Sequence, residues 1–192
     1  MESLSSADPA GSARRPRVLL LAAGRGRRAG GPKAWRPHDG TTLLEAHLDF
    51  FRGLFGASRI SVAIQEEWRE RCAALSPETT WVAADPDASP LDTLQKLIAA
   101  SPAELSFVLH VDMPVFDRGV YEALLRCEGF AVVPSFDGRR GHPVLLTAEA
   151  LTHLSLLDPA KDRLDVWLKE RGAEEVCVAV PSVHLNLNEA AA

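Results

Sequence analysis

The sequence is short of the features that mark several protein classes. No apolar run in its 192 residues approaches the roughly 20 that a membrane span needs, so no membrane partner is expected. Positive charge is not in excess. The 21 Lys and Arg stand against 26 Asp and Glu, a formal net charge of −5, which argues against general nucleic-acid binding. Cysteine is scarce: Cys72, Cys127 and Cys177 are odd in number and lack CxxC spacing. They read as reduced thiols of a cytoplasmic protein, not as a disulfide framework or a zinc site. His38, His47, His110, His153 and His184 show no paired spacing for a metal and read as structural. The first 16 residues lack the apolar stretch of a secretory signal, because Arg14, Arg15 and Arg17 precede the first hydrophobic run directly. They read as a disordered arm, and with no internal repeat the remainder, 17–192, reads as a single domain.

What is present suits a compact core, since 46% of residues are apolar. Val18 to Leu21 is a short apolar run ending in Ala-Ala-Gly, as expected of a strand buried on both faces. Leu43 to Leu54 has helical spacing, with Thr42 and Glu45 placed for a capping box. Ile60 to Ile64 predicts a strand, Glu66 to Leu75 a helix, and Trp81 to Ala84 a strand. Pro90 opens a helix to Ala100 in a favoured first-turn position. Phe107 to Val111 predicts a strand, Asp117 to Leu125 a helix, and Ala131 to Val133 and Pro143 to Leu146 strands. Helices over Glu149 to Leu156 and Leu164 to Lys169 follow, then strands over Val176 to Val180 and His184 to Leu187. The alternation predicts a three-layer, Rossmann-like α/β fold with a mostly parallel sheet. Loops at Gly24, Asp85 and Asp112 all follow strand ends and should converge on one sheet edge.

The segment Leu21 to Lys33 packs four glycines and four cations into thirteen residues of an acidic protein. Glycines let backbone N–H groups approach anions, and the cations neutralise phosphate charge. A Walker A loop would need Gly-Lys-Ser/Thr, but Pro32 separates Gly31 from Lys33 and Ala34 follows. Gly24-x-Gly26-x-x-Ala29 fits a relaxed dinucleotide fingerprint, yet Gly30-Gly31-Pro32 would break the helix that fingerprint requires. No strand ends in an acid at the distance ribose recognition needs. A second signal is Asp112, at the end of Phe107 to Val111 and before Met113-Pro114. A carboxylate there is well placed to hold Mg²⁺ between phosphates. The alternative, a helix N-cap, suits Asp117 better.

Leu21, Ala22, Ala23, Gly24, Gly26, Arg28, Gly30, Pro32 and Lys33 match the LAAGxGxRMGxPK signature, with Ala29 at the methionine. In this the chain resembles the molybdenum-cofactor nucleotidyltransferase-like family (MobA/MocA-like NTP transferases), within the nucleotide-diphospho-sugar transferase type of fold. The resemblance implies that Leu21, Ala22, Ala23, Gly24, Gly26, Arg28 and Lys33 bind the nucleotide, with Arg28 and Lys33 activating the triphosphate. It implies that Asp112 binds the catalytic Mg²⁺. Asp85-Pro86-Asp87-Ala88-Ser89-Pro90-Leu91 resembles the segment bordering base and ribose, with Ser89 in place of a glycine. Asp85 is thereby a nucleotide candidate, though equally compatible with a turn. Gly141, His142 and Pro143 resemble the acceptor-side GHPV element, with Arg139 and Arg140 adding charge. Asn186-Leu187-Asn188 resembles the family's N-x-N element, which makes Asn188 the second metal ligand and Asn186 the fallback. Trp35, two residues after Lys33, is a candidate to line the cleft.

The implied reaction moves a nucleoside monophosphate from CTP or GTP to a phosphorylated acceptor, releasing pyrophosphate. The resemblance favours molybdopterin as acceptor and a molybdoenzyme or cofactor-pathway protein as partner. The alternatives are a sugar- or polyol-phosphate nucleotidyltransferase and a degenerate, non-catalytic nucleotide-binding module.

Overall fold

A computed structural model describes residues 15–27 and 30–187. Arg28 and Asn188, and all but the last two residues of the expected N-terminal arm, lie outside the described residues.

The strands are β1 (Arg17–Leu21), β2 (Pro37–His38), β3 (Thr41–Thr42), β4 (Ile60–Ile64), β5 (Thr80–Ala83), β6 (Leu105–His110), β7 (Ala131–Phe136), β8 (Arg139–Arg140), β9 (Val144–Thr147) and β10 (Glu174–Cys177). The helices are α1 (Leu43–Phe55), α2 (Arg69–Leu75), α3 (Pro90–Ala100), α4 (Arg118–Leu125), α5 (Ala148–Ser155) and α6 (Leu164–Arg171). The main sheet runs β10-β7-β9-β6-β1-β4-β5, with β8 appended to β7 and β2-β3 forming a separate ribbon. The pairs β1·β4, β1·β6, β4·β5 and β10·β7 are parallel, whereas β9 is antiparallel to both β6 and β7.

Alternation along the strands explains the three layers. Val18 and Leu20 of β1 point into one core, and Leu19 and Leu21 into the other. The first core is closed by Leu44, Leu48 and Phe51 of α1, Cys72 of α2, and Val120, Tyr121 and Leu124 of α4. The second is closed by Leu91, Leu94 and Leu97 of α3, Leu151 and Leu154 of α5, and Trp167 and Leu168 of α6. Burying each such side chain contributes roughly 1.5–3 kcal/mol before entropy is counted, so a strand with two apolar faces is held from both sides.

Local signals fix the helix starts. Thr42 Oγ1 accepts the Glu45 N–H, and the Glu45 carboxylate accepts the Thr42 N–H, completing the expected capping box. Ser89 caps α3 with Pro90 in its first turn, and Asp117 caps α4. Asp112 is thereby left for another role.

Three segments differ from expectation. The stretch from Glu66 begins as a short 3-10 helix, Glu66–Trp68, before α2. The last strand is Glu174–Cys177 and ends before Val180. His184 to Leu187 is not a strand: Pro181–His184 is a 3-10 helix, and beyond it the backbone bonds to loops instead of a ladder. Proline at the first helical position favours that turn over an extended start. Among the described residues, no helix is long and apolar enough to cross a membrane.

Candidate active site

The parallel ladder carries three loops to one edge of the sheet. Ala22 N–H donates to the Ala63 carbonyl (3.0 Å), Val111 N–H to that of Leu21 (3.0 Å) and Ala84 N–H to that of Ile64 (2.8 Å). The segments that follow β1, β5 and β6 therefore start side by side, as the loop positions predict.

Among the described residues, no α-helix lies between β1 and α1, and a 3-10 turn forms at Lys33–Trp35. This is the behaviour that separates the loop from a dinucleotide fingerprint. Gly26 (φ 62°) turns the chain, and the Gly31 N–H returns to its carbonyl at 3.2 Å. A Cβ on Gly26 would lie 1.8 Å from the Gly31 oxygen, so no other residue fits this closed loop.

A cleft of about 480 Å³ lies over this loop. Leu21, Ala22, Gly24, Gly26 and Lys33 line it, together with Asp112 from the end of β6. Lys33 Nζ reaches Asp112 Oδ2 at 2.5 Å, with only 17% and 10% of the two side chains exposed. At the rim, Arg25 Nε and Arg27 Nη2 hold the two oxygens of Asp87, each at 2.9 Å. Asp85 is exposed, accepts the Asp87 N–H (2.9 Å) in a turn, and borders an adjoining hollow with Gln65 and Glu66. The carboxylate that the fold turns toward the loop arginines is thus Asp87. Two basic residues facing a strand-end Asp-Pro-Asp carried that signal.

A second cleft, about 720 Å³, opens on the other side of β6. Gly141 and His142 line it with Met113, Val133 and Val144 on the wall and Arg140, Lys161 and Arg163 at its margin. The His142 N–H donates to the Val183 carbonyl (2.8 Å), and a Cβ on Gly141 would meet that oxygen at 2.5 Å. The peptide between His142 and Pro143 is cis. Burial lowers the His142 pKa to about 4, so the ring is neutral at physiological pH. Arg140 pairs with Glu175 (2.6 Å), and Arg139 is exposed. Pro143 precedes β9 and does not line the cleft.

The two clefts share Pro90 and His110. His110, which the spacing argument reads as structural, is therefore placed at the site. Trp35 is placed away from both clefts. It packs edge-on against Trp68 (5.4 Å between ring centres) under the Arg71 guanidinium (3.6 Å).

The C-terminal segment ties the pieces together. Leu187 N–H donates to the Asp112 carbonyl (2.8 Å), and Arg36 Nη1 donates to the Leu187 carbonyl (2.7 Å). On the other flank, His47, fully buried, donates from Nε2 to the Val111 carbonyl at 2.9 Å. Burial pushes its pKa down to about 4. The peptides around Asp112 are thus gripped from two directions.

Among the described residues, no group of three or more His, Cys, Asp or Glu side chains is arranged to hold a metal. Of the two described carboxylates that line the cleft, Asp87 is exposed at the rim and Asp112 is buried. Mg²⁺ at nucleotide sites is commonly held by one or two carboxylates plus substrate phosphates and water. The donor set therefore fits an ion that arrives with a triphosphate.

A glycine-turned basic loop with a Lys–carboxylate pair beneath it is suited to phosphate groups, and a second cleft meets the first at Pro90 and His110. Residues 18–176 match the model of the MobA-like NTP transferase domain, and the chain belongs to that family. Over 60 residues it is 43% identical to 2-C-methyl-D-erythritol 4-phosphate cytidylyltransferase of Cereibacter sphaeroides, a match spanning 30% of this chain and 27% of that protein. The fold is similar to that of Rv0371c of Mycobacterium tuberculosis, solved as a complex with manganese (21% identity, 85% and 88% of the two chains, TM-score 0.64). It is also similar to molybdopterin-guanine dinucleotide biosynthesis protein A of Archaeoglobus fulgidus (18% identity, 84% and 83%, TM-score 0.61).

Proposed function

We propose that residues 17–192 form a Mg²⁺-dependent nucleotidyltransferase domain that moves a nucleoside monophosphate from CTP or GTP to molybdopterin. The observation that carries this reading is the Lys33–Asp112 pair on the floor of the glycine-loop cleft, one strand away from the cleft lined by Gly141 and His142. Leu21, Ala22, Ala23, Gly24 and Gly26 hold the triphosphate, with Lys33 and Arg28 neutralising it. Asp85 and Asp87 border the nucleoside. Asp112 holds Mg²⁺, with Asn188 as second ligand by family resemblance. When bound, the ion neutralises phosphate charge and polarises the bond to the leaving group.

The acceptor lies in the second cleft against Gly141 and His142. One of its phosphate oxygens, already anionic near neutral pH, attacks the α-phosphorus. The α–β bridging bond breaks, and pyrophosphate leaves with the electron pair. No dedicated base is needed, so the protein contributes positioning and charge neutralisation. Asp112 would hold the ion, and Lys33 would supply positive charge beside it.

The partial match to a cytidylyltransferase favours a second reading, in which CTP is the donor and a polyol phosphate the acceptor. Pyrophosphate release measured with each NTP, alone and with molybdopterin or 2-C-methyl-D-erythritol 4-phosphate, separates the two. Release that requires molybdopterin supports the first reading. Release with the polyol phosphate alone replaces it with the second.

A further inference from the structure

Resting on that reading of the two clefts, we propose that His110 is a catalytic residue whose ring N–H contacts the phosphoryl group in transfer. The transferred group begins bonded to the donor and ends bonded to the acceptor, so it must sit where the two clefts meet. Among the described residues, only Pro90 and His110 line both, and of these two only His110 has a side chain able to donate a hydrogen bond.

The sheet register leads to the same place. His110 is paired with Leu21, the last residue of β1, from which the glycine loop departs. On its other side, Val108 of β6 pairs with Val144 of β9 in antiparallel register. β9 begins two residues after His142, and His110 and His142 line the same cleft. The imidazole thus lines both the cleft of the donor loop and that of the acceptor element. Among the described residues, no protein group accepts or donates a hydrogen bond to the His110 ring, although it is only partly exposed. A polar ring held there beside Asp112 and Lys33, with no hydrogen-bond partner among the described residues, is suited to a ligand.

In the step itself, the acceptor phosphate oxygen forms its bond to the α-phosphorus as the bond to pyrophosphate breaks. Negative charge on the non-bridging α-oxygens must be stabilised throughout. His110 donates a hydrogen bond to one of them and keeps its proton.

The test uses His110→Leu, which removes the donor, and His110→Gln, which keeps one. Losing a single pre-placed donor to a transition-state oxygen costs roughly 100-fold in kcat. His110→Leu is expected to lose that factor with the KM for NTP changed less than about threefold, and His110→Gln to recover part of it. Unchanged kcat in His110→Leu overturns the proposal, as does a loss confined to KM. A second measurement avoids the variants: the ring ¹⁵N–¹H resonances of His110 in the wild-type protein, with Mg²⁺ and the α,β-methylene analogue of CTP or GTP. They should shift on binding. A response in the backbone amides of Gly24 and Gly26 without one at His110 overturns the proposal while sparing the donor-cleft reading. If neither responds, the donor-cleft reading falls and this assignment falls with it.

Discussion

Replacing Lys33 by Met removes the ammonium from a carboxylate whose side chain is only 10% exposed. Breaking a buried pair by deleting one partner costs about 3–5 kcal/mol, because the remaining charge stays uncompensated. This pair opens onto a cleft and keeps some contact with water, which reduces the expected loss to roughly 1–3 kcal/mol for Lys33→Met. Asp112→Asn removes the carboxylate instead, and the longer lysine side chain can move toward solvent, so a smaller loss is expected. In the double variant neither charge is left behind. The two losses should therefore fail to add by about 1–2 kcal/mol, within the range seen for residues in direct contact. Urea unfolding of the four proteins at pH 7, followed by far-UV circular dichroism, measures this coupling. Pyrophosphate release assayed on the same samples should be abolished in all three variants, including the one that regains stability. Stability and turnover would then respond to the same pair in opposite ways. Losses that add within about 0.3 kcal/mol would refute the idea that Lys33 and Asp112 compensate each other in the folded chain.

Two further outcomes follow from the geometry. Gly26→Ala must relieve a contact of 1.8 Å with the Gly31 oxygen at φ 62°, so the loop opens and NTP affinity falls by at least roughly tenfold. Binding of labelled CTP or GTP checks this, and wild-type affinity would show that the closed loop is dispensable. His47 has a folded pKa near 4, below its ordinary value of 6.5, so the unfolded chain takes up its proton first as the pH falls. Its contribution is fully present above about pH 6.5 and is lost toward pH 4, amounting to about 2 kcal/mol by pH 5. The urea midpoint should fall between pH 7 and pH 5, and the fall should flatten in His47→Gln; an equal slope in both proteins would show that other groups set it.

Local chemistry made much of the fold legible in the sequence. The strand over Val18 to Leu21, the capping box at Thr42 and Glu45, Pro90 at a helix start and the cap at Asp117 depend on neighbours within a few residues. The glycine loop was legible for the same reason, since Gly30, Gly31 and Pro32 exclude a helix locally. The remainder depended on partners distant in sequence. Nothing local to Val144–Thr147 says that it runs antiparallel between β6 and β7, yet that insertion brings His142 toward His110. Histidine spacing along the chain addresses metal chelation, not a ring shared by two clefts, so His110 was visible only once the strands were ordered. Asp87 was hidden in the same way, because its partners Arg25 and Arg27 are some sixty residues away. Leu185 and Leu187 looked like strand residues, but Leu187 spends its backbone N–H and carbonyl on Asp112 and Arg36.

The central claim is that nucleotidyl transfer occurs where Asp112 and Lys33 meet beneath the glycine loop. Its most direct test is pyrophosphate release from CTP and GTP with molybdopterin and Mg²⁺, by the wild-type protein and by Asp112→Asn. Acceptor-dependent release by the wild type from one of the two nucleotides is expected, with a loss of at least roughly 100-fold in the variant. Equal release by both proteins would contradict it.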